Sequence, residues 1–70
     1  MNNELNFEFY GDGEEIYNLL INEGFDENEF EVVNEFGNNY YISFNDEFVD
    51  ESELYNLLKN KFNKNITFIL

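Results

Sequence analysis

Apolar residues along this 70-residue chain recur at a spacing that switches from two, to three and four, and back again, twice over. Leu5, Phe7 and Phe9 alternate with Glu4, Asn6 and Glu8, the pattern of a strand with one buried face. Gly11, Asp12 and Gly13 break the alternation. Asp12 followed by Glu15 predicts a helix N-cap with its reciprocal partner. The helix then runs from Glu14 to Glu23, buries Ile16, Leu19 and Leu20, and is closed by Gly24 in the left-handed conformation. Phe25 to Asn28 form a connection.

The next two segments read as a hairpin. Phe30, Val32 and Phe36 fall on one side of the first strand, and Glu29, Glu31 and Glu35 on the other. Gly37, Asn38 and Asn39 make the turn, and Tyr40, Ile42 and Phe44 are the apolar set of the returning strand. Setting Phe36 opposite Tyr40 brings both apolar sets to one face and predicts a three-residue loop. Asp50, with Glu53 at the third position, caps a second helix whose buried stripe is Leu54, Leu57, Leu58 and Phe62. Ile66 to Leu70 form the closing strand.

The order β-α-β-β-α-β predicts an α+β domain of the ferredoxin-like, split βαβ kind: a four-stranded antiparallel sheet, strand order 4-1-3-2, with two helices on one face. Glu-Ile-Tyr-Asn-Leu-Leu at 15–20 is echoed by Glu-Leu-Tyr-Asn-Leu-Leu at 53–58, each after a capping Asp. Two βαβ halves related by a pseudo-twofold axis would give this echo; so would two amphipathic helices converging on good helix formers. A chain of this size makes one domain, residues 1–70, and buries only about 60% of its unfolded surface.

Charge narrows the function. The chain has 16 Asp and Glu, three Lys, no Arg and no His, for a net charge of −13. Small well-behaved domains carry a net charge of about 2 to 8 in magnitude, and the excess is stored as self-repulsion. All 16 acids lie between Met1 and Leu58, a stretch with no basic side chain. Asn, Phe, Tyr and Ile are abundant, as AT-rich codons favour, and the same bias should supply Lys; yet Asn occurs 14 times and Lys three. Positive charge has been kept out. Lys59, Lys61 and Lys64 fall at the end of the second helix, where cations meet the negative pole of the helix dipole.

Hydrophobic residues at 43% and aromatics at 20% exclude the disorder that such acidity can otherwise mean. Without Cys there is no disulfide framework and no thiolate metal site. No basic region precedes an apolar run and no apolar stretch approaches 18 residues, so a cytoplasmic protein without membrane contact is expected. Catalysis has little to work with: no His, no Cys, and no Ser beside a base. Asp26, Asn28 and Glu31 fail as a calcium loop, because Phe30 takes the third ligand position and no Gly supplies the sharp turn. A non-enzyme without cofactor or metal is the expectation.

The fold leaves one sheet face open. That face receives Glu4, Asn6 and Glu8 from the first strand, Glu29, Glu31, Val33 and Glu35 from the second, Tyr41, Ser43 and Asn45 from the third, and Thr67 and Ile69 from the last. Two residues along a strand advance about 7 Å, comparable to the spacing of successive phosphates along a nucleic-acid strand. Carboxylates on alternate positions can therefore imitate a phosphate row. RNA-binding modules of related topology carry basic and aromatic residues here; the inverted sign disfavours nucleic acid and points to a basic protein. The ordinary reading, a solvated polar face, fits each Glu singly, but Lys would serve as well and is absent. The candidate partner-binding residues are Glu4, Glu8, Glu27, Glu29, Glu31, Glu35, Tyr41, Asp46 and Glu47.

In length, in its Lys-free acidic stretch and in its β-α-β-β-α-β order, the chain resembles the small acidic inhibitors carried by phages, including DNA-mimic anti-CRISPR proteins. The resemblance implies a stoichiometric blocker of the basic nucleic-acid channel of a CRISPR effector or another host defence nuclease. The alternative is an immunity or antitoxin protein covering a basic toxin. The uncharged fourth strand is an edge open to pairing, so a monomer with a tendency to dimerise weakly through that strand is expected.

Overall fold

A computed structural model describes residues 3–45 and 50–69. Strand β1 (Asn3–Phe9) leads to helix α1 (Gly13–Asn22), then to the hairpin β2 (Phe30–Phe36) and β3 (Asn39–Phe44). Helix α2 (Glu51–Phe62), a 3-10 turn (Asn63–Asn65) and β4 (Ile66–Phe68) complete the chain. All strand pairs are antiparallel and the sheet order is β2-β3-β1-β4, the split βαβ arrangement. Among the described residues no helix is long and apolar enough to cross a membrane.

Each helix begins where its Asp satisfies free backbone donors. The Glu14 amide donates to Asp12 Oδ1 at 3.0 Å, and the Asp12 amide donates to Glu15 Oε2 at 3.2 Å, closing the capping box. Asp50 Oδ1 accepts from the amides of Ser52 at 3.0 Å and Glu53 at 3.3 Å. At the other end of α1, Gly24 takes φ +102°. Its N–H donates to the Ile21 carbonyl and that of Phe25 to the Leu20 carbonyl, both at 3.1 Å. This is the Schellman closure, which needs a residue free to adopt positive φ. Phe25 is thereby turned back against the core.

The core consists of Leu5, Phe7 and Phe9 from β1, Phe30 from β2, Ile42 and Phe44 from β3, Ile66 from β4, and Ile16, Leu20, Leu54 and Leu58 from the helices. The two echoing helical segments are used identically. Ile16, Tyr17, Leu19 and Leu20 are buried, half-buried, half-buried and buried, and so are Leu54, Tyr55, Leu57 and Leu58. Tyr17 packs on Phe30 of β2 with ring centroids 5.5 Å apart, and Tyr55 on Phe68 of β4 at 4.3 Å. Each tyrosine thus braces the edge strand of its own half, as a pseudo-twofold relation requires.

The hairpin departs from the expected register. Val32 pairs with Ile42, Val33 with Tyr41 and Asn34 with Tyr40, but Phe36 pairs with Asn39, so Glu35 is an extra residue in a bulge. The loop is two residues, Gly37 and Asn38, instead of three. Two observations explain the choice: Gly37 adopts φ +55°, and the Asn34 side-chain amide donates to the carbonyls of Gly37 at 3.1 Å and Asn39 at 3.0 Å. The bulge reverses the alternation, so Phe36 leaves the core face and is 70% exposed. Two smaller corrections concern strand ends. Glu29 precedes β2, although its carbonyl accepts from the Asn45 amide at 2.9 Å and so extends the ladder, and β4 covers Ile66–Phe68, with Leu70 of the expected strand outside the described residues.

The register is testable by truncation. Phe30→Ala should cost about 3–5 kcal/mol, as for a buried aromatic, whereas Phe36→Ala should stay within about 0.5 kcal/mol. Urea unfolding followed by circular dichroism measures both. Similar losses at the two positions would restore the three-residue loop with Phe36 in the core.

Candidate protein-binding face

The strand pairing arranges the open face in rows that run across the sheet. One row is Glu4, Ser43 and Glu31 on β1, β3 and β2. The next is Asn6, Tyr41 and Val33. The third is Thr67, Glu8, Asn39 and Phe36, from β4 across to β2. The middle row holds no carboxylate. The acids are therefore divided between two ends of the face, with a neutral band centred on half-buried Tyr41 between them.

The two ends differ in kind. At the first, Glu4 and Glu31 flank Ser43, about 10 Å apart by two strand spacings, and Glu29 continues the line of Glu31 beyond the strand. These three are exposed. At the second end, Glu8 is only partly exposed and accepts a hydrogen bond from the Tyr10 hydroxyl at 3.1 Å. Tyr10 and Phe36 are both exposed there, giving that end an aromatic character. The sequence reading missed Phe36 on this face. The available signal was Asn34, a polar residue in phase with the core set, followed by a Gly-Asn turn.

Glu27 does not belong to the open face. Its Oε2 accepts from the Tyr17 hydroxyl at 3.0 Å, which ties it to α1, on the helix-covered side. Asp26 Oδ1 accepts from the Asn28 amide at 2.8 Å, so the acidic run there is turn chemistry. Glu35 occupies the bulge, and Asp46 and Glu47 lie outside the described residues. Among the described residues no three side chains of His, Cys, Asp or Glu converge on a possible metal position. Of all the described carboxylates, only Glu8 is not exposed but half-buried.

The Tyr10 and Tyr17 phenols are both shifted above the ordinary tyrosine range, first because each donates to a carboxylate, Glu8 and Glu27 respectively. A raised phenol pKa means that the tie contributes below the ordinary value of about 10 and is lost as pH rises through the higher, folded value. An ultraviolet titration of tyrosinate should show two late-ionising phenols. Tyr17→Phe should remove one of them, and Glu27→Gln should return Tyr17 toward the ordinary range. An unchanged titration curve in Glu27→Gln would show that the hydroxyl has no carboxylate partner in solution.

Comparison of the chain with protein-family models, with curated proteins and with solved structures finds no match to any of them.

Proposed function

We propose that the protein is a stoichiometric inhibitor, not an enzyme, that binds the basic nucleic-acid channel of a CRISPR effector or other defence nuclease in the host cytosol. The observation that carries this reading is the one-sided charge: 58 successive residues with 16 carboxylates and no cation. Of those carboxylates, every described one except Glu8 is exposed. Burial does not explain them, since the described residues bury no polar or charged side chain; capping and turn bonds occupy Asp12, Glu15, Asp26 and Asp50 but leave Glu4, Glu29 and Glu31 without such a role. Their mutual repulsion weakens the free domain and is relieved when a positive surface is brought against them.

The end of the open face formed by Glu4, Glu29 and Glu31 is the part best suited to imitate phosphates, because its acids are exposed and fall at strand spacings. Tyr41 in the neutral band supplies an aromatic surface beside them, as bases do beside phosphates. A basic toxin would be met by the same charges, and competition separates the two readings. A nuclease held through imitation of its substrate loses duplex or guide-paired nucleic acid as the inhibitor binds, whereas a toxin covered elsewhere does not.

The test is inhibition and displacement measured against a panel of purified effectors and nucleases. Glu29→Gln with Glu31→Gln should raise the melting temperature of the free protein while weakening inhibition at least tenfold. Unchanged inhibition would move the site away from β2.

Salt provides an independent check. Affinity should fall steeply as ionic strength rises past the point where screening acts within about 8 Å, while the melting temperature of the free domain climbs. An affinity indifferent to salt would indicate an apolar interface and sink the proposal of charge imitation.

A further inference from the structure

The pairing pattern also determines which backbone groups the sheet leaves unpaired. The Asn45 amide donates to the Glu29 carbonyl and the Phe9 amide to the Asn38 carbonyl. In an antiparallel ladder bonded and non-bonded pairs alternate. From Glu29 to Val33, before the bulge, the odd residues of β2 therefore turn their N–H and C=O groups toward β3. Phe30, Val32 and Asn34 turn theirs outward, along the free edge of β2. Among the described residues no other backbone or side-chain group bonds to them.

The opposite edge is shorter and partly used. By the same alternation, and with the Ile69 amide bonded to the Asn6 carbonyl, Ile66 and Phe68 face outward on β4. The Ile66 amide is already taken by the Asn63 carbonyl. The β2 edge is the better template for an added strand.

Two features beside the β2 edge select what that strand would be. On the helix side, a groove of about 390 Å³ opens between Gly13, Glu14 and Tyr17 of α1 and Val32, Asn34 and Tyr40 of the hairpin. A strand laid along β2 would point every second side chain toward this groove and the others toward the open face beside Glu29 and Glu31. A second copy of the chain would bring like charges together at these positions, which disfavours self-pairing here.

We infer that the β2 edge accepts an extended, basic segment of a partner protein by strand addition. Its backbone pairs with Val32 and Asn34, its Lys or Arg side chains lie beside Glu29 and Glu31, and an alternate apolar side chain enters the Tyr17–Tyr40 groove. Main-chain bonding supplies affinity and the groove supplies selection, the division of labour in other strand-addition complexes. The inference stands apart from the proposed target: it needs an extended basic segment, not a nuclease.

The probe is a synthetic eight-residue peptide alternating Lys with Val, added to the full-length protein. Amide hydrogen exchange should slow at Val32 and Asn34 by at least tenfold and stay unchanged at Phe68. A peptide of equal charge, N-methylated on the residues whose amides would face β2, should lose this protection. Glu31→Gln should weaken binding several-fold without altering the protein's circular dichroism spectrum. Equal binding by the N-methylated peptide, or protection spread evenly over both sheet edges, would overturn strand addition in favour of diffuse charge attraction. Protection of Val32 and Asn34 without peptide, rising with protein concentration in sedimentation, would overturn it in favour of a second copy.

Discussion

Burial of one apolar sheet face under two helices has to hold this molecule together almost unaided, because its charges oppose compaction. A domain of 70 residues has a small core, and here repulsion among the carboxylates is subtracted from what that core contributes. The aromatic content answers this constraint. Phe7, Phe9, Phe30 and Phe44 are buried, and Tyr17, Phe25, Tyr40, Tyr55, Phe62 and Phe68 pack around them. Phe9 and Phe62 meet edge to face at 4.7 Å, and Phe7 stacks on Tyr40 with centroids 6.1 Å apart. Large rings bury the most apolar area per residue, and their edge and face contacts add to it. The close approach is bought with glycines at the entry to α1. A Cβ on Gly11 would lie 2.7 Å from the Phe9 ring, and one on Gly13 would lie 2.8 Å from Tyr40.

The same economy appears in the two helices. Each has a capping Asp, a Glu at the third position, and a Tyr-Asn-Leu-Leu segment with one pattern of burial. One local solution serves both halves of the fold. What differs is the far end: α1 stops in a glycine closure, while α2 ends with Lys59 and Lys61 and passes through Asn63, at φ 47°, into the 3-10 turn.

Most of the fold could be read from the chain because each element announced itself by period and by cap. Asp12 with Glu15, Gly24, and Asp50 all act as the sequence implied. The hairpin was the exception. Phe36 is in phase with Phe30 and Val32, so a binary pattern counts it as core; a bulge adds one residue without leaving a mark in that pattern. Asn34 decided the register through side-chain bonds to the turn, an effect of geometry and not of hydrophobicity. The candidate site was legible in composition but less so in arrangement. Exposure of the acids followed from their chemistry, yet the neutral row of Asn6, Tyr41 and Val33, and the tie of Glu27 to Tyr17, depend on pairing and packing across distant segments.

The three lysines sit at the end of α2 and in the turn before β4, while Glu29, Glu31 and Glu35 belong to the β2 side, at the opposite edge of the sheet. The molecule therefore has not only a net charge but an electric dipole lying across its strands. A positive surface exerts a torque on such a body as well as a pull. At distances of about one Debye length, before any contact forms, it would rotate the domain so that the β2 edge leads and the lysines trail. Encounter would then begin from a restricted set of orientations, and reversing the three lysines to glutamate would add charge yet flatten that preference.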